Sequence, residues 1–305
     1  MKKIKIIALG FLAFITIAST VFVSCTKQQK TITIYSNALA YSKKINEKYN
    51  KKNKSITQIL KSKTTKAAVT VMADVAGAGT AAATMGSLWL AAPWGTIASA
   101  AVTVCAGTSA SVLAHIAQNS PINPNYLSIY HEANIKLINA ILTLDENPYH
   151  NPLDSIGFKH NELVKRYFTT LNNYSIPNAN TFLFNSLNLT AEENKSLKYT
   201  SIVKITSLLN YQYTHPIENT SSLEMYLNNA YMLYGSNPFL VDFNNTLLQG
   251  MYACATYDDL INLAHEYEAY YIPNFQGTDI ERRVVLISLA TMKYSAKLWN
   301  IVNKD

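Results

Sequence analysis

Three short stretches of this chain place histidine beside carboxylates: His131-Glu132, His160-Asn161-Glu162 and His265-Glu266-Tyr267-Glu268. A histidine with a neighbouring acid can move protons near neutral pH, and two histidines one helical turn apart can hold zinc. None of the three continues into His-Glu-x-x-His, so the metalloprotease pattern is absent. No Gly-x-Ser-x-Gly elbow, phosphate-binding loop or dinucleotide-binding glycine pattern occurs either. His160 with Glu162, and His265 with Glu266, are therefore polar-site candidates, each read first as a surface or half-buried polar pair. His160 is the more informative, because it shares a helical face with Ile156, Leu163 and Tyr167, the setting of a satisfied core histidine. The sequence assigns no catalytic residue, metal-ligand set or cofactor.

Thiols and phenols add little chemistry. Three cysteines are too few for a disulfide-stapled fold, and they have different surroundings: Cys25 ends an apolar leader, Cys105 lies in an uncharged run, and Cys254 ends an apolar helix. The twenty tyrosines are spread over most of the expected helices, where core packing is their default role.

The element that organises the chain is the uncharged run. Between Val75 and Ala114, 40 consecutive residues contain no Asp, Glu, Lys, Arg or His, and 27 of them are Ala, Gly, Ser or Thr. Within the longer stretch from Ala67 to Ala117, Pro93-Trp94-Gly95 separates two halves of about 23 to 25 residues, each roughly 36 Å long as a helix and able to cross a hydrocarbon layer of about 30 Å. Residues 67–118 are read as a Gly/Ala-rich helical hairpin. Its rows of small residues, with Gly77, Gly86, Gly95 and Gly107 as the helix-pairing positions, let backbones approach closely. The pattern resembles a glycine zipper, which implies helix pairing and the possibility of a homo-oligomer through the hairpin. The expectation is that the hairpin faces lipid, with Leu88, Trp89, Leu90, Ile97 and Val104 toward acyl chains. The alternative is that the later helices wrap it. Asp74, the one acid nearby, belongs near the wet end of the first helix or inside an oligomer, because hydrocarbon would penalise it by about 2.5 kcal/mol or more.

The basic character is local. The net charge is +7, but residues 26–66 carry eleven Lys against Glu47 alone, whereas residues 67–305 are net acidic. Residues 1–24 read as a signal peptide, with Lys2, Lys3 and Lys5 before an apolar run. Phe22-Val23-Ser24-Cys25 resembles the lipobox of bacterial lipoproteins. That resemblance implies lipidation of Cys25 and membrane attachment through its acyl groups. With Thr26 following, it also implies the outer membrane of a Gram-negative-type cell envelope rather than the inner. Residues 25–66 then form a lipid-anchored basic stem. A short extended piece is expected at Thr31-Ile32-Thr33-Ile34, followed from Ser36 onward by a basic amphipathic helix carrying Ala38, Tyr41, Ile45, Tyr49, Ile56 and Ile59. The helix is either a solvated spacer or a contact for anionic lipid headgroups. Nucleic acid is not an expected partner, since the segment lacks Arg.

Residues 119–305 read as an α-helical domain. Capping boxes at Thr190/Glu193, Ser221/Glu224 and Thr278/Glu281, with Asn237-Pro238, start helices. Helices are expected near 125–144, 153–171, 178–187, 191–214, 222–234, 238–254, 257–271 and 279–302. Leu127, Ala133, Leu137 and Ile141 mark the first core face, Ile156, Leu163, Val164 and Tyr167 the second, and Ile202, Ile205 and Leu209 the third. The fold class is all-α, a Gly/Ala-rich helical hairpin followed by an irregular bundle of about eight amphipathic helices.

The stretches Asn151–Glu162 and Ala290–Trp299 resemble segments of a group of uncharacterised secreted bacterial proteins that also carry a Gly/Ala-rich hairpin. That resemblance implies export but no activity. Three readings of function follow. The first is a cell-envelope lipoprotein whose helical domain binds a partner or supports the envelope. The second is a membrane-perforating, antibacterial protein using the hairpin. The third is an enzyme with a His/carboxylate site.

Overall fold

The computed structural model describes residues 31, 33–49, 63–85, 94–119, 126–143, 150–170, 190, 191, 225 and 237–303. Among these residues the fold is all-α, without a strand. The long helices are α1 over residues 33–49, α2 over Lys63–Met85, α3 over Trp94–Asn119 and α4 over Tyr126–Ile138. After these come α5 over Asp154–Thr170, α6 over Pro238–Ala253, α7 over Tyr257–Asn274 and α8 over Asp279–Asn303. Apart from residues 191 and 225, the helices expected at 178–187, 191–214 and 222–234 lie outside the described residues, as do Cys25 and the expected signal peptide.

Local signals set the helix starts. Asn237 accepts from the Leu240 amide at 3.1 Å, with Pro238 in the first turn. Thr278 and Glu281 make the reciprocal capping contacts at 3.3 and 2.7 Å. A further capping box, Thr256 with Asp259, opens α7. Its acid is Asp rather than the usual Glu or Gln.

The small-residue helices α2 and α3 pack directly on each other. A β-carbon at Gly77 would stand 2.8 Å from the carbonyl oxygen of Ala106 and 2.9 Å from the β-carbon of Ala110, so only glycine allows this approach. Gly107 lies against the β-carbon of Ala78 and Cδ2 of His160, each 3.3 Å from a β-carbon placed there. Gly95 falls in the first turn of α3, and Gly86 is outside the described residues. Some of the hydroxyls buried in these helices bond to carbonyls one turn back, as Thr80 does to Ala76 at 2.6 Å and Thr103 to Ser99 at 2.7 Å, whereas Ser99 Oγ and Thr108 Oγ1 are buried without a partner.

The surroundings of this pair correct the lipid-facing expectation. Residues 68–85 are long and apolar enough to cross a membrane, but 89% of them are buried inside the protein. Val104, assigned to acyl chains, is buried as well. An uncharged helix needs apolar neighbours on every side, and here α3, α6 and α8 supply them around α2. Leu88, Trp89 and Leu90 lie outside the described residues.

At the centre stands α8, packed against α2, α5 and α7. Every residue from Val284 to Ala296 is buried, polar ones included. Gly157 makes the α5 crossing close: a β-carbon there would meet Tyr294 Cδ2 at 2.5 Å and the Ala290 carbonyl oxygen at 2.7 Å.

Two further expectations change. Residues 31, 33 and 34 are helical, so the extended piece is absent there. Ile141 is 83% exposed rather than core, because α4 ends at Ile138 and the following turn breaks the helical register. Ala133 and Leu137 do face the core.

Candidate functional site

Among the described residues, two clusters of interior polar groups are built on α8. The first surrounds Asp74, which projects from α2 and is fully buried. Its Oδ1 lies 2.9 Å from Nε2 of His160 on α5. Its Oδ2 accepts from Ser295 Oγ and, at 3.1 Å, from Nε1 of Trp299, both on α8. His160 Nδ1 meets Asn161 Oδ1 at 3.1 Å, and Asn161 donates onward to the Tyr294 carbonyl at 2.7 Å. His115 of α3 stacks on the Trp299 ring, 4.6 Å between centroids. Burial opposes a charged imidazole at His160, but the Asp74 carboxylate and the hydrogen bonds to Asp74 and Asn161 outweigh it and raise the pKa.

The second cluster centres on Lys293, whose ammonium is fully buried between Glu268 Oε1 at 2.9 Å and Asp154 Oδ1 at 2.8 Å. Asn151 donates to Glu268 at 2.8 Å and to the Leu286 carbonyl at 2.9 Å. Burial disfavours the charged ammonium, yet two carboxylates more than offset it and raise the Lys293 pKa. Glu268 is raised mainly by its own burial, since it shares one cation with Asp154. The stretches 151–162 and 290–299 thus meet across both clusters.

Residue types of a nucleophilic triad are present in the first cluster, but their arrangement is not that of one. A serine nucleophile must bond to the histidine that takes its proton. Here Ser295 bonds to Asp74 instead, and Ser295, Asp74 and His160 are all sealed from solvent. The arrangement ties three helices together and offers no substrate a path to any of its atoms.

Neither forecast pair assembles. Glu162 is exposed while His160 is buried, because residues two apart project about 200° apart around a helix. His265 is half-buried on α7, and its neighbour Glu266 instead receives Lys48 and, at 3.0 Å, the Tyr49 hydroxyl from α1. Among the described residues no three His, Cys, Asp or Glu side chains converge as a metal site. Cys105 and Cys254 are free, buried thiols.

Sequence reasoning missed the partners rather than the histidine. Asp74 was visible as a lone acid, but it sits inside the folded chain rather than at a wet helix end or in an oligomer. Nothing marked Lys293, Glu268 and Asn151 as buried. Glu162 lines a surface groove of about 360 Å³ with Ala140, Leu142, Phe158, Lys165, Arg166 and Thr169. Lys165 donates to the Ala140 carbonyl at 2.6 Å. No proton-transfer pair converges in this groove.

No protein-family model, curated protein or solved structure matches this chain.

Proposed function

We propose that the protein is a cell-envelope lipoprotein, anchored through acyl groups on Cys25, whose helical domain binds or braces a partner and carries out no reaction of its own. The anchor rests on Phe22-Val23-Ser24-Cys25 behind an apolar leader, and one or two further acyl chains would make the attachment stable. The Lys-rich segment that follows is suited to anionic headgroups, as expected for a chain tethered at the outer membrane. The observation that supports the non-enzymatic part is the sealed Asp74–His160–Ser295 arrangement, in which this serine–histidine–carboxylate grouping among the described residues has the wrong connectivity and no access. Metabolic labelling with a palmitate analogue tests the anchor. Label in the parent protein and none in Cys25→Ala supports it, and an unlabelled parent protein overturns it.

Membrane perforation is the second reading, favoured by the length and apolarity of residues 68–85. It requires α2 and α3 to leave the protein core, breaking the Asp74 contacts to α5 and α8. Dye release from liposomes at micromolar protein supports it, and vesicles that stay tight exclude it.

A further inference from the structure

The helix that follows the expected anchor is neither a free spacer nor a loosely tethered arm. Asn46 on α1 donates to the Thr246 carbonyl at 2.7 Å and accepts from the Tyr267 hydroxyl at 2.9 Å. Ser42 is buried against the Tyr271 hydroxyl at 2.9 Å, and the Tyr35 hydroxyl donates to Glu281 at 2.8 Å. Gly250 on α6 lies so close to the Asn46 side chain that a β-carbon there would collide with it. Ala38 and Ile45 are buried between these polar contacts. Such a set of directed bonds fixes α1 rigidly on α6, α7 and α8.

The outer side of this docked helix has its own character. Lys43, Lys44 and Glu47 are exposed, and the Lys48 side chain is 54% exposed even with Glu266 as its partner, so the outer side keeps a net positive charge. Tyr41, 39% exposed, stacks on Tyr270 of α7 with ring centroids 4.1 Å apart. Tyr41, Lys44 and Lys48 follow at i, i+3 and i+7, so they line one stripe of the helix. Only six peptide units separate Cys25 from Thr31, a reach of at most about 22 Å. A lipidated Cys25 therefore holds the start of α1 within about 22 Å of its anchor, and the net positive charge of residues 26–66 favours laying the rest of the helix on anionic headgroups.

We infer that the exposed stripe of α1 formed by Tyr41, Lys44 and Lys48, with Tyr41 stacked on Tyr270 at its edge, is the surface that lies on anionic lipid headgroups and sets the orientation of the whole domain. Amphipathic aromatic rings settle at the headgroup level, and each Lys there strengthens attachment about fivefold before screening. Because α1 is bonded rigidly to α6, α7 and α8, one headgroup contact orients all of them. The groove beside Glu162 and Arg166 belongs to α5 and the segment after α4, not to this face. The inference rests on the lipoprotein reading for its tether, but the surface can be tested apart from it.

The test uses the full-length chain expressed with its leader, purified, and reconstituted with phosphatidylcholine vesicles with or without phosphatidylglycerol. A fluorophore is placed at Ala40→Cys on the exposed side of α1 or at Arg166→Cys on α5, the native Cys105 and Cys254 being buried. With phosphatidylglycerol present, aqueous iodide should quench the probe at 40 about threefold less than the probe at 166, a headgroup-shielding effect. Lys44→Glu/Lys48→Gln should abolish that difference with helix content unchanged. Equal quenching at both positions in protein that floats with the vesicles overturns the surface and leaves the anchor standing. Flotation with anionic vesicles alone overturns the anchor and supports the surface. Flotation with neither overturns both.

Discussion

Nε2 of His160 lies 2.9 Å from Oδ1 of Asp74, across 86 positions of sequence. Asp74 is the one acid on α2 and α3. Its contacts to His160, Ser295 and Trp299 fasten the small-residue helix pair to α5 and α8. Removing one partner of a buried pair leaves the other uncompensated, typically a loss of about 3–5 kcal/mol. Asp74→Ala should therefore lower the urea midpoint strongly. Adding His160→Leu should recover part of the loss, because the stranded imidazole is removed with it. An Asp74→Ala midpoint equal to that of the parent would show that the contacts contribute nothing.

The same pair gives stability a pH dependence with a defined sign. The folded-state pKa values of His160 and Glu268 are both raised, so each group binds its proton more tightly folded than unfolded. The His160 contribution is complete below its ordinary pKa of about 6.5 and is lost as pH rises through the raised value. Glu268 acts in the same direction from the ordinary carboxylate range upward. Denaturation midpoints should accordingly fall from mildly acid toward alkaline pH. His160→Gln should flatten the portion above neutrality, and a parent profile that rises through this range would contradict the assignment.

Lys293 tests the second cluster. Its ammonium serves Glu268 and Asp154 at once, so Lys293→Met leaves two carboxylates facing each other in the interior. A loss of about 3–5 kcal/mol is expected by denaturant titration. Lys293→Met/Glu268→Gln should be the more stable of the two variants, because it removes the more deeply buried stranded charge.

Close helix crossing makes Gly157→Ala informative. Alanine is the better helix former by about 1 kcal/mol, and at an exposed site the change would stabilise. At Gly157 the added β-carbon meets a backbone oxygen of Ala290 at 2.7 Å, which cannot rotate away. A net destabilisation of about 1–3 kcal/mol is expected from overpacking. A raised melting temperature would show that α5 and α8 do not approach this closely.

Docking of α1 can be examined separately from the core. Gly250→Ala pushes against Asn46 and should loosen α1 first. Hydrogen exchange is expected to speed up over residues 33–49 while 284–296 keep their protection. Equal loss in both segments would mean that α1 is part of the same cooperative unit.

Helix type and position were legible because their causes are local. Asn237-Pro238 and Thr278/Glu281 start helices through contacts within one turn. The apolar spacing of Ile156, Leu163, Val164 and Tyr167 already contains the buried face of α5. Even the failure of His160 and Glu162 to meet follows from the angle between residues two apart. The polar interior is different. Lys293 sits in a sequence that local pattern would turn toward water. It is buried because α2, α5 and α7 surround α8 on several sides and bring Asp154 and Glu268 to its ammonium. The uncharged run determined by itself that two small-residue helices need apolar surroundings. Acyl chains and protein side chains satisfy that requirement equally well, since both exclude water. The choice of protein came only from tertiary packing, where Asp74 finds His160, Ser295 and Trp299, partners that hydrocarbon could not supply.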